Sequence, residues 1–562
     1  MPEYLSPGVY IEELSGPKPI EGVGTSTGAF VGIAERGPVN SPQLITNLTQ
    51  FSNTFGGFTP KAFLAYGVQH FFTEGGTRCY VVRAFRESDE PSGDNTFPDV
   101  AQAVLTFEGD VSSPPASPPS PPSPPSSPPD GTAALNVYAN SPGTWGNQLM
   151  VRVDPAGFHP DEDPENPTLF KLSVYYKDDA TPVETFDHLS MNEFDGDTDF
   201  PNPNHVEARI NGISKYITVE DITADRDAID PLGATNHISL GGGGDGAAMG
   251  DGEDNFRAAD LIGSSADATG LFAFDTVDDI NIVAIPDLVN PGFGVDGTAS
   301  RDATNLALTY CANRKDCFFV ADTPAALSPQ GALAYKRAAT PFSGNPFNSK
   351  YGALYYPWIY AVDELTGKRK LLPPSGAVAG SYSAADVRVG VHKAPAGIED
   401  GYLNSAADVE RIITKGEHDT LNPEGVNVIR KFPDAGICIY GARTLSADPE
   451  WKYVNVRRLF IFLEESILKG TQSVVFEPND RSLWKRIIRD VGAFLRIQWR
   501  EGKLVGDKPE KAYFVKCDEE TNPPESVDLG RLITLIGVAP SKPAEFVIFR
   551  IRQTRSGGDA EE

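Results

Sequence analysis

The sequence predicts an α/β core domain, a mixed sheet flanked by helices, with an inserted β-rich domain and extended N- and C-terminal strand arms. Strand-like and helix-like runs alternate over residues 23–100 and again over 256–540, the pattern of a layered α/β unit. Between them, residues 101–255 carry strand-like alternation and few helix signals. The chain also starts and finishes on short β-type runs that have no adjacent run to pair with.

In chain order, PGVYIEEL at 7–14 is β-branched and aromatic, and SGPKPIEG at 15–22 separates it from the next hydrophobic segment. That linker, with two prolines, favours extended backbone and spans roughly 25 Å at about 3.1 Å per residue, so residues 1–22 read as a linker arm. GAFVGIA at 28–34 is a buried strand, 61–74 a helix, and RCYVVRA at 78–84 the next buried strand. Within 101–255, Phe170, Leu172, Val174 and Tyr176 share one strand face. The α/β pattern resumes with a strand in INIVAIP at 280–286, a helix over 302–314 and a strand in CFFVA at 317–321. A sheet interrupted by an insertion needs both flanks, so 23–100 and 256–540 are expected to form one core.

From the N-cap residue Asp480 to Arg500, Leu483, Trp484, Ile487, Ile488, Val491, Phe494, Leu495 and Trp499 form one apolar stripe. At about 100° per residue, Lys485, Arg489, Arg496 and Arg500 fall within about 60° of one another, away from that stripe. Such a ridge is either a solvated basic face with i, i+4 partners or a contact for an acidic surface. The last run, EFVIFRIR at 545–552, follows a proline-containing loop, and 541–562 reads as a C-terminal strand arm with an acidic tail. Unpaired strand ends are templates for another chain, so both termini point to a polymer subunit.

Composition narrows the functional classes. At 562 residues the chain holds two or three domains. No apolar run reaches the roughly 20 residues of a membrane span, and the N-terminus lacks signal-peptide regions, so a cytosolic product without membrane insertion is expected. A net charge of −29 argues against direct contact with nucleic acid. The acidity is uneven, with 430–500 locally basic, which serves either to register neighbouring subunits or simply to keep a crowded surface soluble. The five cysteines are scattered without a CxxC pair; Cys311 and Cys317, close in sequence, are read as packing. Seven dispersed histidines, no HExxH, no GxSxG and no GxGxxG leave no catalytic residue, metal ligand or cofactor site to nominate, so the chain reads as a non-enzyme. Residues 112–129 are almost wholly Pro and Ser and read as an exposed polyproline-like or disordered loop. The glycine-rich stretch 241–254 lacks the features of a phosphate loop or calcium loop and reads as a flexible return from the insertion.

The block NVRRLFIFLEESILKGTQSVVFEPNDRSLWKRI, continued by AYFVKCDEETN and GRLITLIGVAPSKPAEFVIFRI, closely resembles the contractile tail sheath proteins of bacteriophages and of phage-derived injection particles. YLSPGVYIEEL, GVGTSTGAFVGIAERGPVN, SPGTWGNQLMVRV, VETFDHLSM and YYPWIYAVDELTGKRKLLPPSGAVAG resemble the same family in the same order. The resemblance implies stacked hexameric rings of one chain around an inner tail tube, a helical assembly bounded by baseplate and tail terminator or cap proteins. It implies that a C-terminal layer faces the tube, which makes Lys485, Arg489, Arg496 and Arg500 the candidate tube contact. It also implies exchange of terminal strands between subunits, assigned to Val9, Tyr10 and Ile11 and to Phe546, Val547, Ile548, Phe549 and Ile551. Contraction of the lattice would then drive the tube outward without nucleotide, with the β-rich insertion as outward decoration. Assembly in the bacterial cytoplasm follows, with the product in a phage tail, hence the virion, or in an extracellular or cytoplasmic contractile particle. The alternative is a non-contractile structural or adhesive shell protein.

Overall fold

The computed structural model describes residues 19–87, 99–106, 133–157, 169–177, 180–194, 201–222, 236–250, 252, 254–294 and 297–545. The expected strand at 7–14, the proline-rich loop, and all but the first residue of the terminal strand lie outside these residues, as do Val9, Tyr10, Ile11, Phe546, Val547, Ile548, Phe549 and Ile551. The chain divides into two compact units, one of Thr25–Arg388 with Pro395–Val454, the other of Met1–Gly24, Val389–Ala394 and Asn455–Glu562.

The first unit opens with β1 (Gly28–Gly32), β2 (Gln43–Ile45), α1 (Leu48–Phe55), α2 (Leu64–Thr73) and β3 (Cys79–Arg83). An antiparallel region follows, with β4 (Gln102–Thr106), β5 (Ala133–Ala139), β6 (Leu149–Pro155), β7 (Phe170–Tyr176), β8 (Glu184–Leu189), β9 (Ile217–Asp221) and β10 (Ile238–Ser239). The α/β pattern then returns through β11 (Ile282–Ala284), α3 (Thr298–Arg314), β12 (Phe318–Asp322), α4 (Pro329–Arg337) and β13 (Gly352–Tyr356). After the small sheet strands β14 (Ile359–Val362), β15 (Arg369–Leu372) and β16 (Asp408–Val409), and α5 (Ser375–Arg388), come β17 (Val426–Phe432) and β18 (Gly436–Ile439).

One eight-stranded sheet, in the order β18-β17-β13-β12-β11-β1-β3-β2, draws strands from both sides of the antiparallel region. Its central pairs are parallel, and β1 lies between β11 and β3. Every residue of β1, β12 and β13 is buried, which explains why these strands read as continuous apolar runs rather than alternating ones. Against this sheet, α2 and α5 approach each other at glycine positions: a Cβ on Gly376 would sit 2.4 Å from the Gly67 carbonyl oxygen. The fold is thus mixed α/β with a large sheet of both pairing senses.

The antiparallel strands form two sheets, β4-β5-β9 and β10-β6-β7-β8, around their own apolar cluster, which includes Leu135, Val137, Leu149, Val151, Phe170 and Leu172. In β7 the one-faced expectation is only partly met, because Ser173 and Tyr175 are buried along with Phe170, Leu172 and Val174. The glycine-rich return is also not the loose segment expected. Over 241–250, Gly243 and Asn147 exchange two hydrogen bonds of 2.8 Å, and Thr144 donates from both backbone N and Oγ1 to Asp245 at 2.8 Å. A Cβ on Gly244 would lie 2.2 Å from Asp99 Oδ1, and one on Gly246, at φ +76°, 2.3 Å from the Arg86 carbonyl. Gly243, Gly244 and Gly246 serve close approach, whereas Gly241 and Gly242 face open space. Cys311 and Cys317 are buried with their Sγ atoms 3.5 Å apart.

The second unit is built on α6 (Val454–Thr471), α7 (Arg481–Arg500) and a hairpin of β19 (Tyr513–Lys516) and β20 (Leu535–Val538). Leu459, Phe462, Leu463, Leu483, Ile487, Val491, Phe494 and Leu495 form its apolar cluster.

Candidate assembly surfaces

α7 starts where its sequence says it should. The Asp480 carboxylate accepts from the backbone N–H of Ser482 at 2.8 Å and Leu483 at 2.9 Å, satisfying two of the donors that a helix start leaves open. Tryptophans tie both ends down, with Trp484 Nε1 donating to Asn479 Oδ1 and Trp499 Nε1 to the Gly506 carbonyl, each at 2.8 Å. The predicted stripe is buried at Leu483, Trp484, Ile487, Val491, Phe494 and Leu495, and half-buried at Ile488 and Trp499.

All four predicted ridge residues, Lys485, Arg489, Arg496 and Arg500, are exposed on the opposite face. Arg489 donates to its neighbour Asp490 at 2.9 Å. Among the described residues no carboxylate pairs with Lys485, Arg496 or Arg500, so an i, i+4 ion-pair ladder does not account for the ridge. Arg481 and Arg486, which lie off it, are the ones matched to acids, Glu519 and Glu477. Beside the ridge, burial pushes the Tyr513 hydroxyl up; the Arg496 charge pulls the other way, the Glu510 carboxylate adds to the rise, and Arg500 opposes it. That places the C-terminal half of the ridge next to β19.

The β19–β20 hairpin pairs Tyr513 with Val538 through Lys516 with Leu535. It is only two strands wide among the described residues, with an isolated bridge from Leu504 to Pro540 beyond its end. Phe514 and Leu535 are about half exposed, and no residue of either strand is fully buried. Two four-residue strands with so little burial are marginal alone. An apolar groove of about 380 Å³ opens beside β20, lined among others by Ile467, Val474, Leu483, Ile487, Leu532 and Ile536. At its rim Phe476 has φ +71° and is fully exposed, a costly conformation for a bulky aromatic.

The hairpin as a surface, and Phe476, were not singled out from sequence. The run SVVF at 473–476 has the composition of a buried strand, and no periodicity marks it as exposed. Among the described residues no group of three or more His, Cys, Asp or Glu side chains is placed to hold a metal ion, and no helix is long and apolar enough to cross a membrane.

Comparisons with known proteins bear on the same regions. The family model described as the phage tail sheath protein central domain matches residues 265–445, and the phage tail sheath C-terminal domain matches 446–554. Together they cover more than half of the chain. The tail sheath protein of Vibrio phage KVP40 is 24% identical over 324 residues, 53% of this chain and 47% of that protein. The tail sheath protein of Enterobacteria phage T4 is 23% identical over 264 residues, 46% of this chain and 39% of that protein. The match therefore spans less than half the length of these curated relatives. Among solved structures, the PVC sheath complex of an extracellular contractile injection system, in its contracted state, shares the fold with a TM-score of 0.55 at 20% identity, covering 99% of each chain.

Proposed function

This chain belongs to the phage tail sheath family, and on that premise we propose that it is the structural subunit of a contractile sheath, polymerised as stacked hexameric rings around an inner tube. In this reading residues 23–100 and 256–540 make the sheath core, its C-terminal part facing the tube, and 101–255 form an inserted outer domain. Residues 1–22 and 541–562 are strand arms. Val9, Tyr10 and Ile11 of one copy, and Phe546, Val547, Ile548, Phe549 and Ile551 of another, extend the sheets of neighbours. The observation that carries the reading is the β19–β20 hairpin: two short, half-exposed strands, with no third strand beside them among the described residues. Donated strands would pair its free edge groups, each backbone hydrogen bond contributing about 1 kcal/mol net and many acting together.

Lys485, Arg489, Arg496 and Arg500 would meet acidic groups on the tube, supported by their exposure and by the absence, among the described residues, of acid partners for Lys485, Arg496 and Arg500. The strand mesh holds while globular bodies change their packing. The long state, assembled on the tube, is a trapped higher-energy lattice that a baseplate signal releases into a shorter, wider one, so no nucleotide or catalytic site is required. Assembly takes place in the bacterial cytoplasm, with a terminator or cap closing the far end. Particle length decides the matter: isolated particles imaged before and after a mild denaturant trigger should shorten. A constant length would leave a static shell protein instead.

A further inference from the structure

We infer that residues 20–23 are a strap seated along α6, the root through which load on the N-terminal arm enters the C-terminal unit before the chain reaches Thr25. This rests on the strand-exchange reading above and adds where the exchanged arm is anchored.

The sequence reads as one free tether up to residue 22, but the last part of it is docked. Ile20 is buried in the cluster of Leu459, Phe462 and Leu463. Its seat is Gly470, where a Cβ would come within 2.7 Å of both Ile20 Cγ1 and Cγ2. Four residues back along the helix, Ser466 Oγ donates to the Phe462 carbonyl at 2.6 Å and accepts the Val23 backbone N–H at 3.1 Å. Four residues further back, the Phe462 ring lies under Gly22, whose added Cβ would meet Cε2 and Cζ at 3.0 Å. Phe462, Ser466 and Gly470 thus make a single line at i, i+4 spacing on one helix face, with Ile20 over Gly470 and with Gly22 and Val23 over Phe462 and Ser466.

Glycine is the requirement at 470 because of approach, not backbone conformation, since Gly470 has no positive φ. Docking four residues shortens the free arm by about 12 Å at roughly 3.1 Å per residue. A slack arm lets one subunit move without pulling its neighbour; a seated arm passes the pull directly to an 18-residue helix.

The test uses the full-length chain with Gly470→Leu, which fills the seat while improving helix propensity, and Ser466→Ala, which removes the acceptor for Val23 together with the hydroxyl's own bond to the Phe462 carbonyl inside the helix. Hydrogen exchange of a peptide spanning 20–25 should be about tenfold faster in Gly470→Leu and intermediate in Ser466→Ala, with the β11 peptide at 280–285 unchanged. In assembled particles most Gly470→Leu sheaths should fail to shorten when triggered. Unchanged exchange would overturn the seat, and lost protection with normal shortening would overturn the load path. If Gly470→Leu does not fold or assemble, Ser466→Ala carries both readouts, with faster exchange and reduced shortening expected and normal values overturning the inference. A chain lacking residues 1–14 separates this from the parent reading: if it still assembles, strand exchange is wrong while the exchange result on 20–25 stands on its own.

Discussion

Asp322 shows how much of this molecule's chemistry depends on what covers a residue. It ends β12 fully enclosed, accepting the Ser375 backbone N–H at 2.8 Å, and burial pushes its carboxyl up to about 7 against the opposing pull of the Ser375 hydrogen bonds. Asp287, also enclosed, accepts from Phe63 N at 2.6 Å and Ile33 N at 3.0 Å, and burial raises it to about 6. A carboxyl raised above its ordinary 3.8 stabilises the fold fully below that value, and the contribution is lost as pH rises through the folded pKa, because the unfolded chain gives up its proton first. His70 acts oppositely in an overlapping window: burial lowers it from 6.5 to about 4, so its contribution is lost as pH falls toward 4. Wild-type stability alone therefore mixes the two, and Asp322→Asn separates them. Its stability relative to wild type should be about 2–3 kcal/mol more favourable at pH 8 than at pH 5, measured by urea unfolding. An equal difference at both pH values would show that Asp322 does not titrate in this window. An aspartate at the end of an apolar run is visible in the sequence, but its desolvation is not, because the residues that enclose it come from distant segments.

At the scale of the element, α7 was legible almost whole: its cap, stripe and ridge follow from 3.6-residue periodicity and one capping side chain. Arg489→Glu with Arg496→Glu should leave the isolated chain folded, since both side chains are exposed and neither belongs to the stripe. Sheath bound to tubes should fall by roughly tenfold or more, and the wild type should lose binding more steeply with added salt than the variant does. Tube-bound yield by sedimentation measures this; unchanged yield would remove the ridge as the contact. The hairpin was harder to foresee. YFVK and LIGV pair as strands in the structure, but whether such short runs are central or marginal depends on which strands lie beside them, a non-local property.

Across the larger unit, the antiparallel region is keyed into the α/β body by arginines. Arg36 is nearly buried, with its guanidinium 5.2–5.6 Å from the ring centres of Trp145, Tyr176 and Tyr216, while Nη2 donates to the Ser52 and Asn53 carbonyls at 3.2 Å. Arg83 donates to the Gly37 carbonyl at 3.0 Å and the Pro142 carbonyl at 2.9 Å. Excising 99–250 as mere decoration should therefore cost the remaining body about 2–4 kcal/mol in denaturant unfolding, because Arg36 loses its aromatic faces and Arg83 an acceptor. Adding Arg36→Met should recover part of that loss; no loss on excision would show that the aromatic cage holds nothing in place. By itself, the sequence determined the alternation of helix and strand, the switch to period-two patterning, the amphipathic face of α7 and the family resemblance, because each is written in neighbouring residues. Tertiary structure alone decided the order of the eight strands, the tight packing of a glycine-rich loop that read as slack, the docking of residues 20–23 on α6 and the burial of Asp322. Those outcomes depend on contacts between segments tens to hundreds of residues apart, and local periodicity carries no record of which distant surface a segment will meet.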